Sequence, residues 1–267
     1  MNQFFFGDPD RPLYGVHHPP ASDRRKDSAV LICYPIGREY MRCHRALVRL
    51  CNQLGQAGYH SMRFDYSGTG DSEGDGTDVD IDMWISDITT AALELKEVSG
   101  ARKISMVGVR LGAAVATYAA ARQDFVDQLF LWDPITDGKH YLQQLIGLHQ
   151  DFVTDRDRFP RSTVDEAADE DGELVGMPFP DKLRESIQKI ELGSIPALGA
   201  DQVTILATED RPQYQSSLDH LDSLVDSTSY KVVNEPVRWE SLSDLGAVIL
   251  PHKILEQIVA LADGNAA

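Results

Sequence analysis

Apolar runs alternate with segments of helical periodicity along most of the chain. Ala29–Ile36 and Lys103–Val109 are almost wholly apolar, as is typical of strands buried on both faces. Because the segments between such runs repeat apolar residues at helical spacing, we predict a mostly parallel sheet covered by helices on both sides. The predicted strands are Gln3–Phe6, Leu13–His17, Ala29–Ile36, His60–Tyr66, Lys103–Val109, Gln128–Asp133, Val203–Ala207 and Ser229–Val233. The predicted helices are 41–57, Ile81–Val98, Leu111–Arg122, 139–153, 181–191 and Pro251–Ala262.

Residues 137–200 interrupt this alternation. They lie between two predicted strands and hold two helices around an acidic loop, which is too long for an ordinary connection. We interpret the segment as a small lid over the carboxyl edge of the sheet, with the acidic run Asp165–Glu173 as a solvated edge. The 267 residues then form one domain, with 1–136 and 201–267 as its core and 137–200 as an insertion.

The chain is strongly acidic. Its formal net charge is −17, from 42 acidic and 25 basic residues, which argues against nucleic acid or an anionic membrane as partner. No signal-peptide pattern and no apolar run of membrane-spanning length is present, so we expect a cytoplasmic protein. Cys33, Cys43 and Cys51 lack metal-binding spacing and are expected to be free thiols. We expect neither a metal nor a cofactor.

The stretch Gly108–Gly112 joins a buried strand directly to a helix of small residues. Its sequence GVRLG has the spacing of a G-x-S-x-G nucleophile elbow, with Arg110 at the position of the serine. In such an elbow the central residue lies on a strained turn, and the next amide, here that of Leu111, points into the site. Arginine is neither nucleophile nor base, because its guanidinium stays protonated.

Over nearly its full length the sequence resembles the serine aminopeptidase/lysophospholipase-like α/β hydrolases, most closely the hydrolases associated with exosortase A systems. The matching stretches are YPIGRE at 34–39, FDYSGTGDS at 64–72, LWDP at 131–134 and GMPFP at 176–180. The resemblance implies the α/β-hydrolase fold, with a mostly parallel sheet flanked by helices and a small helical lid. It also implies a second oxyanion amide near Ile36 and Gly37, and some members of that group carry G-x-R-x-G at the elbow.

The candidates for the rest of a catalytic triad form an incomplete set. Glu209 or Asp210 follows the strand after which the acid is expected, and Asp133 is an alternative acid after the preceding strand. The histidine is expected in the loop before the last helix, but residues 235–240 contain none. His252 is the candidate base, although its place at the start of the last helix favours a helix-cap or surface role.

Two interpretations of Arg110 remain open. A cation at a helix N-terminus opposes the helix dipole and needs an acidic partner. In one interpretation that partner is internal; in the other it is a carboxylate, phosphate or thioester-linked group of a ligand. The internal candidates are Asp133, Asp210, Glu209 and Glu240. A basic cluster favours the anionic ligand slightly, although it also fits a solvated first helical turn; it comprises Arg38, Arg42, His44 and Arg45.

The glycine-rich motif after the second buried strand contains Asp65, Gly68, Gly70, Asp71 and Ser72. A phosphate-binding loop would need a following lysine or helix N-terminus, and the sequence has neither. We therefore predict a tight turn with hydrogen bonds from backbone amides to an aspartate side chain.

Three functions are compatible with these features. The first is a non-catalytic or accessory protein that binds an anionic small molecule or acyl group in the old active-site cleft. Its expected ligand-binding residues are Arg110, Leu111, Ile36, Gly37, Arg38 and Arg42. The second is a non-classical esterase, thioesterase or acyl-transfer enzyme, and the third is a structural subunit with a filled pocket. A homo-oligomer or a partner protein of the same pathway is possible in each case.

Overall fold

The computed structural model describes residues 1–21, 25–155, 172–235, 237–239 and 248–264. The strands of the main sheet are β1 (Asn2–Asp8), β2 (Arg11–His18), β3 (Ser28–Cys33), β4 (His60–Phe64), β5 (Lys103–Val109), β6 (Val126–Trp132), β9 (Ala200–Ala207) and β10 (Ser227–Val232). A small hairpin pairs β7 (Glu173–Leu174) with β8 (Met177–Pro178). The helices are α1 (Gly37–Gln56), α2 (Ile81–Ser99), α3 (Leu111–Ala120), α4 (Gly138–Thr154), α5 (Asp181–Ile187), α6 (Pro212–Leu221) and α7 (His252–Ala262), with a 3₁₀ turn at Leu192–Ser194.

The main sheet has the strand order β1-β2-β4-β3-β5-β6-β9-β10. The strands from β4 to β10 pair in parallel, whereas β1 and β2 form an antiparallel hairpin whose second strand pairs antiparallel with β4. The predicted mostly parallel sheet, flanked by helices, is therefore confirmed. Because β3, β5, β6 and β9 run in the same direction, the residues that follow them meet at one edge of the sheet.

The apolar sequences of the central strands match their burial in the structure. Every residue of β5 after Lys103 is buried, and so is every residue of β3 after Ser28. α3 packs tightly on this layer through alanines and glycine, and nearly all of its residues are buried. The small side chains let the helix lie close to the sheet, which fixes the position of the turn that precedes it.

One boundary differs from prediction in a way that matters for the site. α1 begins at Gly37, four residues before the predicted start, so 37–40 form its first turn. The residue before it, Ile36, gives no side-chain cap hydrogen bond, and the usual sequence signal for a helix start is therefore missing. α6 was not predicted either, although Pro212 lies at its first turn, where proline is favoured.

The predicted insertion contains α4, the β7–β8 hairpin, α5 and the 3₁₀ turn. Most of the acidic run Asp165–Glu173 lies outside the described residues. The interpretation of the whole insertion as a lid stays a prediction. Within the described part of the chain, no helix is both long enough and apolar enough to cross a bilayer.

Candidate functional site

Arg110 lies on the sharp turn between β5 and α3. Its backbone has φ 53° and ψ −119°, a conformation that side-chain-bearing residues rarely adopt. The flanking glycines permit this turn: a Cβ on Gly112 would lie 2.1 Å from the Tyr34 carbonyl oxygen, and one on Gly108 would lie 2.3 Å from the Cα of Ala113. The strand, turn and helix therefore have the geometry that a nucleophile elbow requires.

The Arg110 side chain is buried in an ion pair. Its Nε donates to Oε1 of Glu39 at 2.9 Å, and its Nη1 donates to the Asp133 carbonyl at 3.4 Å. The guanidinium carbon also lies 5.5 Å from the ring centroid of Trp239. Burial is the largest influence and lowers the pKa of Arg110, but Glu39, Tyr141 and Tyr214 together outweigh it, and the pKa is raised. Arg110 is thus a fully charged cation with an internal carboxylate beside it.

Glu39 was not among the predicted partners of Arg110. It lies in the first turn of α1, is 7% exposed, and its Oε2 accepts a hydrogen bond from the Tyr141 hydroxyl at 3.4 Å. The prediction missed it because the early start of α1 turns this residue toward the elbow. Of the predicted carboxylates, Asp133 contributes its main-chain oxygen, and Glu240 lies outside the described residues.

Asp133, which follows the neighbouring strand β6, is the second strained residue of the site. Its φ is 42°, and it is 3% exposed. Its carboxylate accepts hydrogen bonds from the Thr208 amide at 2.8 Å, the Thr208 hydroxyl at 2.6 Å and the Trp239 indole at 2.8 Å. Asp133 therefore holds the end of β9 and fixes Trp239 over Arg110.

The remaining triad candidates are engaged elsewhere. Glu209 and Asp210 are exposed; Glu209 pairs with Arg211 at 3.5 Å, and Asp210 accepts from the Tyr230 hydroxyl at 2.7 Å. His252 is exposed at the start of α7, where its amide donates to Glu235 Oε1 at 2.9 Å. Among the described residues that line the two cavities beside Arg110, none of these three appears.

The basic cluster predicted on α1 is divided by burial. Arg42 is 6% exposed, and its Nη1 donates to the carbonyls of Arg238 and Trp239 at 2.7 and 2.9 Å. It thus supports the segment that carries Trp239, and its predicted ligand-binding role stays a prediction. Arg45 is exposed, whereas Arg38 lines a small cavity beside Arg110.

Three cavities lined by described residues lie around this region. The one between Arg110, Glu39 and Tyr141 has only about 40 Å³, because the ion pair and Trp239 fill it. A second pocket beside Arg110, of about 240 Å³, is lined in part by Asp137, His140 and Arg211. A third, largely apolar cavity of about 280 Å³ lies beside Ile36 and Gly37 and does not include Arg110.

The predicted second oxyanion amide and the predicted glycine-rich turn lie next to one another. Ile36 and Gly37 line both the small cavity and the apolar one, and Leu111 is fully buried behind the elbow. In the turn, Oδ2 of Asp65 accepts from the Asp71 amide at 3.1 Å. The predicted turn, with an amide bonded to an aspartate, is confirmed. In the described part of the chain, no cluster of histidine, cysteine and carboxylate residues is arranged to hold a metal ion.

Comparisons with known proteins identify the fold. The family described as serine aminopeptidase, S33 matches residues 30–171. Est1E from Butyrivibrio proteoclasticus, solved with ferulic acid bound, has a TM-score of 0.62 at 16% identity and covers 98% of this chain and 96% of its own. An esterase of Pyrococcus furiosus has a TM-score of 0.65 at 14% identity, covering 98% and 90%. A serine hydrolase homologue from Coxiella burnetii has a TM-score of 0.57 at 16% identity, covering 100% and 97%. No curated protein matches the sequence significantly. The architecture is that of the α/β hydrolases, as predicted.

Proposed function

Because the chain belongs to the serine aminopeptidase S33 family, we propose that it is a non-catalytic member whose old catalytic centre is closed by an internal ion pair. The observation that carries the proposal is the 2.9 Å contact between Arg110 Nε and Glu39 Oε1, two groups whose side chains are 2% and 9% exposed. In this proposal Arg110 stands where related hydrolases have their nucleophile. The closer resemblance to exosortase A system-associated hydrolases stays a prediction.

The chemistry of the site supports a loss of hydrolysis. A guanidinium has no accessible lone pair and cannot form an acyl intermediate. A serine at this point would also need a base within hydrogen-bond reach. The candidate base, His252, is exposed at the start of α7, and the buried acid, Asp133, is already bonded to Thr208 and Trp239.

The ion pair supports the internal interpretation of Arg110 over the ligand-binding one. An anion that reached this guanidinium would compete with a carboxylate that is already in place and would enter a cavity of about 40 Å³. Removing either partner would leave a buried charge, which is costly. We therefore propose that the protein is an accessory protein that acts by binding and not by hydrolysis. In this proposal Arg110 is a structural residue.

A second candidate is the binding of an anionic small molecule or acyl group next to the pair. The pocket of about 240 Å³ favours it, since Arg211 and His140 line its wall, although the carboxylate-bearing Asp137 lines it too. Arg211 lies 3.5 Å from Glu209, so an anion would meet a partly neutralised charge. We therefore favour an accessory role in which no anion is bound beside the ion pair over this second candidate.

Labelling and turnover test the proposal. A fluorophosphonate probe and a set of p-nitrophenyl esters should give the same background with the wild-type chain and with Arg110→Ala, because neither carries a nucleophile at the turn. Intact-mass measurement reports the labelling. Stoichiometric modification of a single serine in the wild-type chain would refute the proposal.

A further inference from the structure

The apolar cavity beside Ile36 and Gly37 has no role in the closed centre. Ile36, Gly37, Met177 and Phe179 line both this cavity and the small one at Arg110, and so form the partition between them. Its volume of about 280 Å³ exceeds the roughly 150 Å³ of an apolar cavity that is known to admit benzene. It therefore has room for one substituted ring. Met41, at 58% exposed, and Gly70, also exposed, are among its lining residues, so the cavity reaches the surface.

The walls of the cavity are rich in aromatic rings. All but one of these side chains are buried, and they come from the ends of β3 and β4, from α1, from α2 and from the segment before α5. They are Tyr34, Tyr40, Phe64, Tyr66, Trp84 and Phe179. Aromatic rings attract apolar groups, and their π faces attract cations.

The charged side chain in this wall is a carboxylate. Asp65 is partly buried, and each of its oxygens accepts one hydrogen bond, from Tyr40 at 3.3 Å and from the Asp71 amide at 3.1 Å. A carboxylate has about four acceptor sites, so Asp65 retains capacity for a further donor. Among the described lining residues there is no lysine, arginine or histidine. The charge of Arg63 also acts on Asp65, but Arg63 donates to His18 at 3.3 Å and is not part of the lining.

We infer that this cavity binds a compact apolar amine, with the ring among the aromatic side chains and the ammonium group on Asp65. Burial raises the pKa of the Asp65 carboxyl, as expected for a desolvated carboxylate, and a bound ammonium would offset that cost. The net charge of −17 favours a cation over an acid in the same place. The inference rests on the proposed function only in that the protein binds its ligand without hydrolysing it.

A series of three closely related probes tests the inference on the unmodified chain. Phenylpropylamine, phenylpropanol and phenylpropanoate share one body and differ in the terminal group. Titration calorimetry at neutral pH should give saturable binding in the order amine, alcohol, acid. The amine should bind about 10- to 100-fold more tightly than the alcohol, the range of one hydrogen bond to a charged group. Equal or tighter binding of phenylpropanoate, or no saturable binding of any probe, would overturn the inference.

Variants locate the site. Asp65→Asn should reduce amine affinity by about tenfold or more, whereas Asp124→Asn, which removes an equal charge from an exposed side chain outside the lining, should leave it within about twofold. Met41→Trp should also weaken binding by narrowing the rim. Unchanged amine affinity in Asp65→Asn would contradict the site. Fluorophosphonate labelling of a serine would refute the proposed function without altering these affinities, so the two failures are distinguishable.

Discussion

Arg110 and Asp133 both hold backbone conformations at positive φ, at 53° and 42°. Both follow adjacent parallel strands, and their main chains are joined to the next strands by the bonds Arg110 N to Trp132 O and Asp133 N to Leu206 O. Strained residues of this kind occur at functional sites and persist only where the surroundings over-determine them. In this protein the strain is retained, although the side chain at the turn is a buried cation.

At this scale, we expect Arg110→Ser to remain inactive as a hydrolase. The substitution supplies a hydroxyl but no base, and it leaves Glu39 buried without its cation. Turnover of p-nitrophenyl acetate should stay at the level of Arg110→Ala. A kcat on the order of 1–10 per second, which is typical of ordinary enzymes, would show that a base was already in place.

Among the secondary-structure elements, close contact with neighbouring backbone atoms requires glycine at the two elbow positions, Gly108 and Gly112. We expect Gly112→Ala to lower the free energy of unfolding by about 3 kcal/mol, the upper end of the usual overpacking range. The reason is that its methyl group would lie 2.1 Å from the Tyr34 carbonyl oxygen. Urea denaturation measures the loss.

Gly147→Ala is the matched control in the interior of α4. A Cβ there meets nothing within 4 Å, so the change should stabilise the chain by about 0.5–1 kcal/mol. If Gly112→Ala and Gly147→Ala had equal effects on stability, the backbone of Tyr34 would not lie in close contact with Gly112.

The strands and the elbow could be predicted from the sequence, but the contacts of Arg110 could not. Lys103–Val109 was predicted with its observed bounds, because continuous apolar runs next to small-residue helices are strong signals. Glu39 was missed because nothing in Ile36 marks the start of α1. The role of Trp239 was missed because it lies far from Asp133 in the sequence. No sequence pattern predicts the 2.8 Å hydrogen bond between them.

At the scale of the whole molecule, buried histidines couple stability to pH. His17 Nε2 and His60 Nδ1 lie 2.9 Å apart between β2 and β4, with stacked rings. Burial, with His60 as the next cause, lowers the pKa of His17 to about 4. Burial, with the charge of Arg63, lowers that of His18 to about 4. Both side chains are therefore neutral in the fold at neutral pH.

The sign of the pH effect follows from these shifts. Unfolded histidines have a pKa of about 6.5 and bind protons before the folded ones, so stability is full above that value and falls as pH drops toward 4. We expect the Tm to fall between pH 6.5 and 5, above the titration range of ordinary carboxylates. The His17→Gln/His18→Gln variant should have a flatter profile, whereas His140→Gln, an exposed control, should follow the wild type. Parallel profiles for all three chains would rule out this coupling.

The proposed closed centre rests on the claim that Arg110 and Glu39 form a buried ion pair, and a double-mutant cycle in urea measures that pair. Arg110→Met alone should cost about 3–5 kcal/mol, because it removes the cation beside a buried carboxylate. Combining it with Glu39→Gln should recover at least about 1 kcal/mol of the summed single losses. Carboxylates and phosphates should leave the wild-type Tm unchanged. A loss below about 0.5 kcal/mol in Arg110→Met, typical of an ordinary surface substitution, would contradict the claim. So would a wild-type Tm that rises with such anions while the variant's does not.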